Sequence, residues 1–87
     1  ETGCVAVHLD PLLHTYTTPG FTDERLHFFA AHDIARGETE FDTDEYVEAM
    51  PMRMSHALAM IRSGEIEDMK TALGLLYAAG FYCNVRI

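Results

Sequence analysis

The carboxylates are the residues of this chain whose placement could do chemistry. Glu1 stands at the start, Asp23 and Glu24 follow a Thr18-Pro19-Gly20 turn, and Asp42, Asp44 and Glu45 close an acidic stretch that begins near Ala35. Hard cations such as Mg²⁺ take a few carboxylate oxygens and complete their octahedron with waters and substrate phosphates. Carboxylates on three separate loops can converge in that way. The plain alternative is that they are solvated loop charges keeping an acidic protein in solution. The five histidines, His8, His14, His27, His32 and His56, show no tight metal-ligand spacing. His14 and His27 lie on consecutive strand-like segments and could oppose each other across a hairpin, and His32-Asp33 is a weak acid-base dipeptide. Cys4 and Cys83 sit nearly a chain length apart and read as buried or partly buried free thiols. No nucleophile elbow or Cys-His ordering accompanies them. Met50, Met52 and Met54 alternate at strand period and read as core filler rather than a cofactor box.

The elements that must position these groups fall into two parts. Val5, Val7 and Leu9 alternate as in a half-buried strand, and Asp10-Pro11 is expected to interrupt it. Leu12–Thr17 reads as a second strand, and Leu26–Ala31 as a third whose two apolar faces suggest cover on both sides. Tyr46–Met52 reads as a fourth. Helix signals then take over. Ser55 is the expected N-cap of a short helix that Gly64 ends. Glu65, Glu67 and Asp68 suit the first turn of a second helix, with Gly80 as its stop. The fold class is therefore α/β (α+β), about four strands followed by two C-terminal helices.

Composition narrows the function classes. The 87 residues carry six Lys or Arg against fourteen Asp or Glu, a formal charge of −8, and 48% apolar residues. That apolar content is too high for a disordered chain. The charge opposes nucleic acid and anionic membrane surfaces, and no apolar run is long enough to span a bilayer. A chain of this size buries roughly 60% of its unfolded surface, so its stability is modest.

The order of motifs resembles one family. Thr17-Thr18-Pro19-Gly20-Phe21-Thr22-Asp23-Glu24 is similar to the S-P-G-F-x-D-E segment of Nudix hydrolases of the ADP-ribose pyrophosphatase group. Asp42-Thr43-Asp44-Glu45-Tyr46-Val47-Glu48 resembles that group's acidic D-E-D-E-x-I-E segment. Ser55-His56-Ala57-Leu58 and Gly64-Glu65-Ile66-Glu67-Asp68-Met69-Lys70-Thr71 resemble its S-E-A-L and G-E-I-x-D-x-K-T helices. The matches run in order to about Ala79. Pro19 also lies the family's distance of about sixteen residues beyond Gly3. Of the box G-x5-E-x7-R-E-U-x-E-E-x-G-U, only the last four positions, Glu1, Thr2, Gly3 and Cys4, are matched.

The resemblance implies that residues 1–87 are the C-terminal part of one Nudix α/β/α sandwich, with 1–4 the tail of the box, 5–53 strands and acidic loop, and 55–80 the helical segment. It implies Mg²⁺, with Mn²⁺ as an alternative, held by Glu1 and Glu24. It implies a general base on the acidic loop, Glu45 first, with Asp42 and Asp44 as rivals. It implies that Pro19, Gly20 and Phe21 lie near the ribose-phosphate of a nucleoside diphosphate sugar. A cytoplasmic homodimer or higher self-association is the expected setting, without nucleic acid or membrane as partner. A chain holding only the tail of the box is expected to be inactive alone. The rival reading is a non-catalytic module that self-associates through unpaired edges and apolar faces.

Overall fold

A computed structural model of the chain describes residues 4–36 and 50–85. The α+β class holds: an antiparallel strand pair is followed by two helices. Strand β1 spans Cys4–Tyr16 and strand β2 spans Arg25–Arg36, with a register running from Cys4 opposite Arg36 to Tyr16 opposite Arg25. The two strands expected on either side of Asp10-Pro11 are thus one. A register shift between Pro11 and Leu13 absorbs the proline. Proline has no N–H to give a ladder, so it is tolerated where a strand bulges or lies at an edge. The strand pairs on through the bulge instead of ending there.

The shift also changes which residues face which way. Leu26, Phe28 and Ala30 share one face of β2, and their partners there are Thr15, Leu13 and Asp10. The even-numbered Asp10 and the odd-numbered Leu13 and Thr15 therefore lie on the same side of the sheet. Helix α2, Met69–Tyr77, packs on this side. A Cβ added at Gly74 would stand 3.1 Å from the Phe28 ring, so helix and sheet approach closely here. A cleft of about 210 Å³ remains beside that contact, between Leu26 and Phe28 of the sheet and Met69 and Leu73 of the helix. The other face carries Leu9 and Phe29, 60% and 53% exposed, with His14 and His27. Among the described residues, the exposure of Leu9 and Phe29 leaves that second face open, so β2 is covered on one face rather than two.

Helix α1 spans Met54–Ser63. Its N-cap is Arg53, without a side-chain cap, and Ser55 falls inside the first turn rather than before it. Gly64 ends the helix as expected, at φ 90°, with its N–H donating to Ile61 O at 3.2 Å. The acids expected in the first turn of α2 stand earlier than that, and only Asp68 serves the helix. It is the N-cap: its carboxylate accepts from the Thr71 N–H at 2.9 Å and the Thr71 hydroxyl at 2.6 Å, and Lys70 Nζ lies 2.6 Å away. These donors, Lys70 foremost, hold the Asp68 carboxyl down at about 2.

Gly80 does not stop the chain. Helix α2 runs on into a π-helical turn, Ala78–Tyr82, in which Ala79 is fully buried. The Cys83 N–H reaches Ala78 O at 2.7 Å, and the left-handed residue that ends the turn is Asn84, at φ 55°. Asparagine is one of the few residues besides glycine that visits this region readily. The expected fourth strand lies partly outside the described residues, and its described end, Met50–Met52, is not a strand. Among the described residues only Ala57 and Ala79 are buried hydrophobics, so the interior is thin.

The Gly74 contact makes a direct prediction. In an open helix interior, a side chain in place of glycine stabilises. Here Gly74→Val pushes Cβ and its methyls into Phe28, and the expected result is a loss of about 1–3 kcal/mol, read as a lowered urea midpoint. A raised midpoint would show that α2 is free to move off the sheet.

Candidate functional site

The turn from Thr17 to Glu24 joins β1 to β2 and carries four of the residues that the sequence singles out. Thr18 O accepts from both the Phe21 N–H at 3.1 Å and the Thr22 N–H at 3.0 Å. Gly20 takes φ 86°, a value that disfavours any side chain there. Pro19 supplies the fixed φ that suits the position before it. The tightened loop turns Phe21 outward, 90% exposed, an aromatic ring at a loop tip that packing among the described residues does not explain.

The two ends of the turn are fastened together. The Thr17 N–H donates to Glu24 O at 3.1 Å, and the Thr17 hydroxyl donates to Glu24 Oε1 at 2.7 Å. Thr22 Oγ1 accepts the Glu24 N–H at 3.2 Å. Glu24 is thus an exposed carboxylate anchored through one oxygen. Next to it, Arg25 donates to the Tyr16 hydroxyl and lies with its guanidinium carbon 4.7 Å from that ring's centroid. The turn thus carries one hydrogen-bonded carboxylate and one exposed aromatic ring.

Pro19, Gly20, Phe21 and Glu24 therefore come together. Glu1, Asp42, Asp44 and Glu45 lie outside the described residues. Among the described residues no three His, Cys, Asp or Glu side chains gather in a way that could hold a metal ion. The expected facing of His14 and His27 is present, their rings stacked at 5.4 Å. Cys83 is an exposed free thiol rather than a buried one. Met50 is 70% exposed, which does not suit a core filler.

A second constellation has no counterpart among the sequence motifs. Asp10 Oδ2 lies 3.1 Å from His32 Nε2 and accepts a hydrogen bond from the Tyr82 hydroxyl. The His8 ring stacks on His32 at 5.0 Å. His32 pairs with Asp10 across the sheet, whereas the sequence points to its neighbour Asp33. The signal that locates the pair is the bulge at Pro11, since only an unbroken β1 sets Asp10 diagonally opposite His32. The Tyr82 hydrogen bond is the main reason the Asp10 carboxyl sits below its ordinary value; the charges of His32 and His8 act in the same sense, against partial desolvation. The same bond pushes the Tyr82 hydroxyl up.

No family model matches the chain. It is nevertheless homologous to known pyrophosphatases, and the resemblance to the ADP-ribose pyrophosphatase group of Nudix hydrolases holds. The chain is 39% identical over 79 residues to the ADP-ribose pyrophosphatase of Bacillus subtilis, an alignment covering 88% of this chain and 43% of that protein. It is 38% identical over 84 residues to the GDP-mannose pyrophosphatase of Pectobacterium atrosepticum, covering 90% and 42%. It is 32% identical over 79 residues to the methanol dehydrogenase activator of Bacillus methanolicus, covering 88% and 43%. The chain spans less than half the length of these curated relatives.

The Asp10–Tyr82 bond ties the C-terminal turn to the sheet and sets a pH window. A carboxyl titrating below 3.8 when folded adds stability that is complete above that value and is lost as pH falls through the folded value. A phenol titrating above 10.0 when folded adds stability that is complete below that value and is lost as pH rises through the folded one. Tyr82→Phe is expected to shrink both flanks of the stability-against-pH curve and to raise the Asp10 titration seen by NMR. An unmoved Asp10 titration would contradict the assignment.

Proposed function

We propose that this chain forms the C-terminal part of a Mg²⁺-dependent pyrophosphatase of nucleoside diphosphate sugars, with ADP-ribose as the first substrate to try. One observation carries the reading. An alignment at 38–39% identity with two pyrophosphatases runs through nearly the whole chain, and the tight turn within it anchors Glu24. The oxygen donors suit a hard cation, which needs only a few carboxylates. Glu24 and Glu1 would hold it, with Mn²⁺ as an alternative. When bound, such an ion neutralises pyrophosphate charge and activates water.

The chain's own residues have distinct roles in this reading. Thr17 fixes the Glu24 carboxylate before a ligand arrives, so no rotamer search is needed on binding. Pro19, Gly20 and Phe21 border the ribose-phosphate, with the Phe21 ring offering a flat apolar face. Glu45, or else Asp42 or Asp44, accepts a proton from the water that attacks phosphorus. The water oxygen forms the new P–O bond, and the bridging P–O bond breaks to release two monophosphates. A homodimer in the cytoplasm is the setting we favour. Among the described residues no helix is long and apolar enough to cross a membrane.

A second reading rests on the open sheet face, where Leu9 and Phe29 are exposed on a sheet of two strands among the described residues. The 87-residue chain alone would then self-associate through that face. A single monomeric boundary in sedimentation would count against it.

The test of the catalytic reading is release of AMP from ADP-ribose with Mg²⁺. A longer protein joining this chain to a complete box helix is expected to turn over, and the 87 residues alone are not. In the longer protein, Glu45→Gln is expected to lower kcat about 10²–10⁴-fold. Unchanged kcat in Glu45→Gln, Asp42→Asn and Asp44→Asn alike would remove the base from this loop. Family-like turnover by the isolated 87 residues would show that the box is dispensable.

A further inference from the structure

Four of the chain's five methionines meet in one place. Met50, Met52 and Met54 stand two residues apart along the segment that leads into α1. In an extended chain that spacing sends successive alternate side chains to one side. Met60 joins them from within α1. The four line a single cleft of about 320 Å³, whose wall is completed by Ala57, Ile66 and Leu75. Met50 and Met52 are exposed, so the cleft is open to water. Among the described residues, no carboxylate, imidazole or thiol lines it. The fifth methionine, Met69, stands apart, beside Leu26 and Phe28.

The donor set decides what such a cleft could hold. Thioether sulfur is uncharged and polarizable, so it binds soft cations and leaves Mg²⁺ and Ca²⁺ to oxygen. Neutral ligands cannot compensate a high ionic charge, which favours a monovalent ion. A methionine side chain has three rotatable bonds, so each sulfur can be repositioned within the cleft without moving the backbone. The formal charge of −8 raises the local concentration of any cation. We propose that the Met50, Met52, Met54 and Met60 thioethers form a binding site for a soft monovalent metal ion, Cu(I) in a cell and Ag(I) as its redox-inert counterpart. Binding exchanges the ion's solvent ligands for sulfur, with no change of oxidation state and no covalent bond of the protein broken. The site shares no residue with the carboxylate turn, so it does not depend on the hydrolase reading.

The experiment titrates Ag⁺ into the 87-residue chain carrying Cys4→Ser and Cys83→Ser, because thiolates would otherwise outcompete thioethers. Calorimetry follows affinity, and methionine ε-methyl NMR signals report which sulfurs respond. The expected result is that the methyl signals of Met50, Met52, Met54 and Met60 shift together and saturate at one ion per cleft, with that of Met69 unmoved. The double variant Met52→Leu with Met54→Leu, which keeps the apolar volume, is expected to weaken binding more than about tenfold. The methyl map needs no variant in the cleft, so a folding defect in the double variant leaves the proposal open to refutation. Shifts spread equally over all five methionines, absence of saturation, or undiminished affinity in a folded double variant would each overturn it.

Discussion

The pairing of β1 with β2 is the constraint on which the rest of the described structure depends. It brings Thr17 and Glu24 together at one end, and it brings Asp10 within reach of His32 further along. Neither contact exists without the register, and the register survives a proline because one extra residue is let out between Pro11 and Leu13. A bulge also bends and twists a strand. Its more consequential effect here is to switch parity, so that Asp10 stands on the same side as Leu13 and Thr15. That side is where α2 and the π turn arrive. Without the switch, Leu13 and Thr15, held by the turn opposite Phe28 and Leu26, would still meet the helix, and Asp10 would stand on the other face.

The helical layer is held to this sheet by contacts that differ in character. Gly74 against Phe28 is a close steric contact, where an added Cβ would press on the ring at 3.1 Å. Tyr82 to Asp10 is a single polar tie between exposed groups. Ala79, fully buried, fills the turn that carries Tyr82 to its place. A straight continuation of α2 would carry Tyr82 along the helix axis instead. The wider π turn changes the rotation per residue, which re-aims the side chains beyond it. The thin interior makes these few contacts matter more, because among the described residues no large side chain is fully buried to dominate them.

What is legible in the sequence follows from the range of the interactions involved. The turn residues Thr18-Pro19-Gly20 and the stop at Gly64 act through their own backbone torsions, so their local signals suffice. The facing of His14 and His27 needs only a hairpin centred on that turn. Ser55 and Gly80 mislead because both carry local preferences that packing overrides. Helix α1 begins a residue before Ser55, and α2 is prolonged past Gly80 by a turn that buries Ala79. Asp68 stands in the expected region but plays a different part, capping the helix from outside instead of lining its first turn. The Asp10–His32–Tyr82 group is invisible in the sequence because it joins residues 72 positions apart through a bulge that a proline rule treats as a break.

The carboxylates divide along the same line. Glu24 is positioned by neighbours within its own turn, and a short motif can therefore announce it. Glu1, Asp42, Asp44 and Glu45 have no such local frame in the sequence. Their roles rest on the family resemblance, and a carboxylate acquires a catalytic role only from the groups that surround it. If Glu24 takes the proposed role, an oxygen held by Thr17 could help to orient a cation but could not by itself activate water. One carboxylate supplies too little charge to hold Mg²⁺ against its hydration shell, since that ion dehydrates reluctantly and relies on several carboxylate and phosphate oxygens together. In the proposed reading, the anchored Glu24 would be one corner of a site whose other corners must be brought to it.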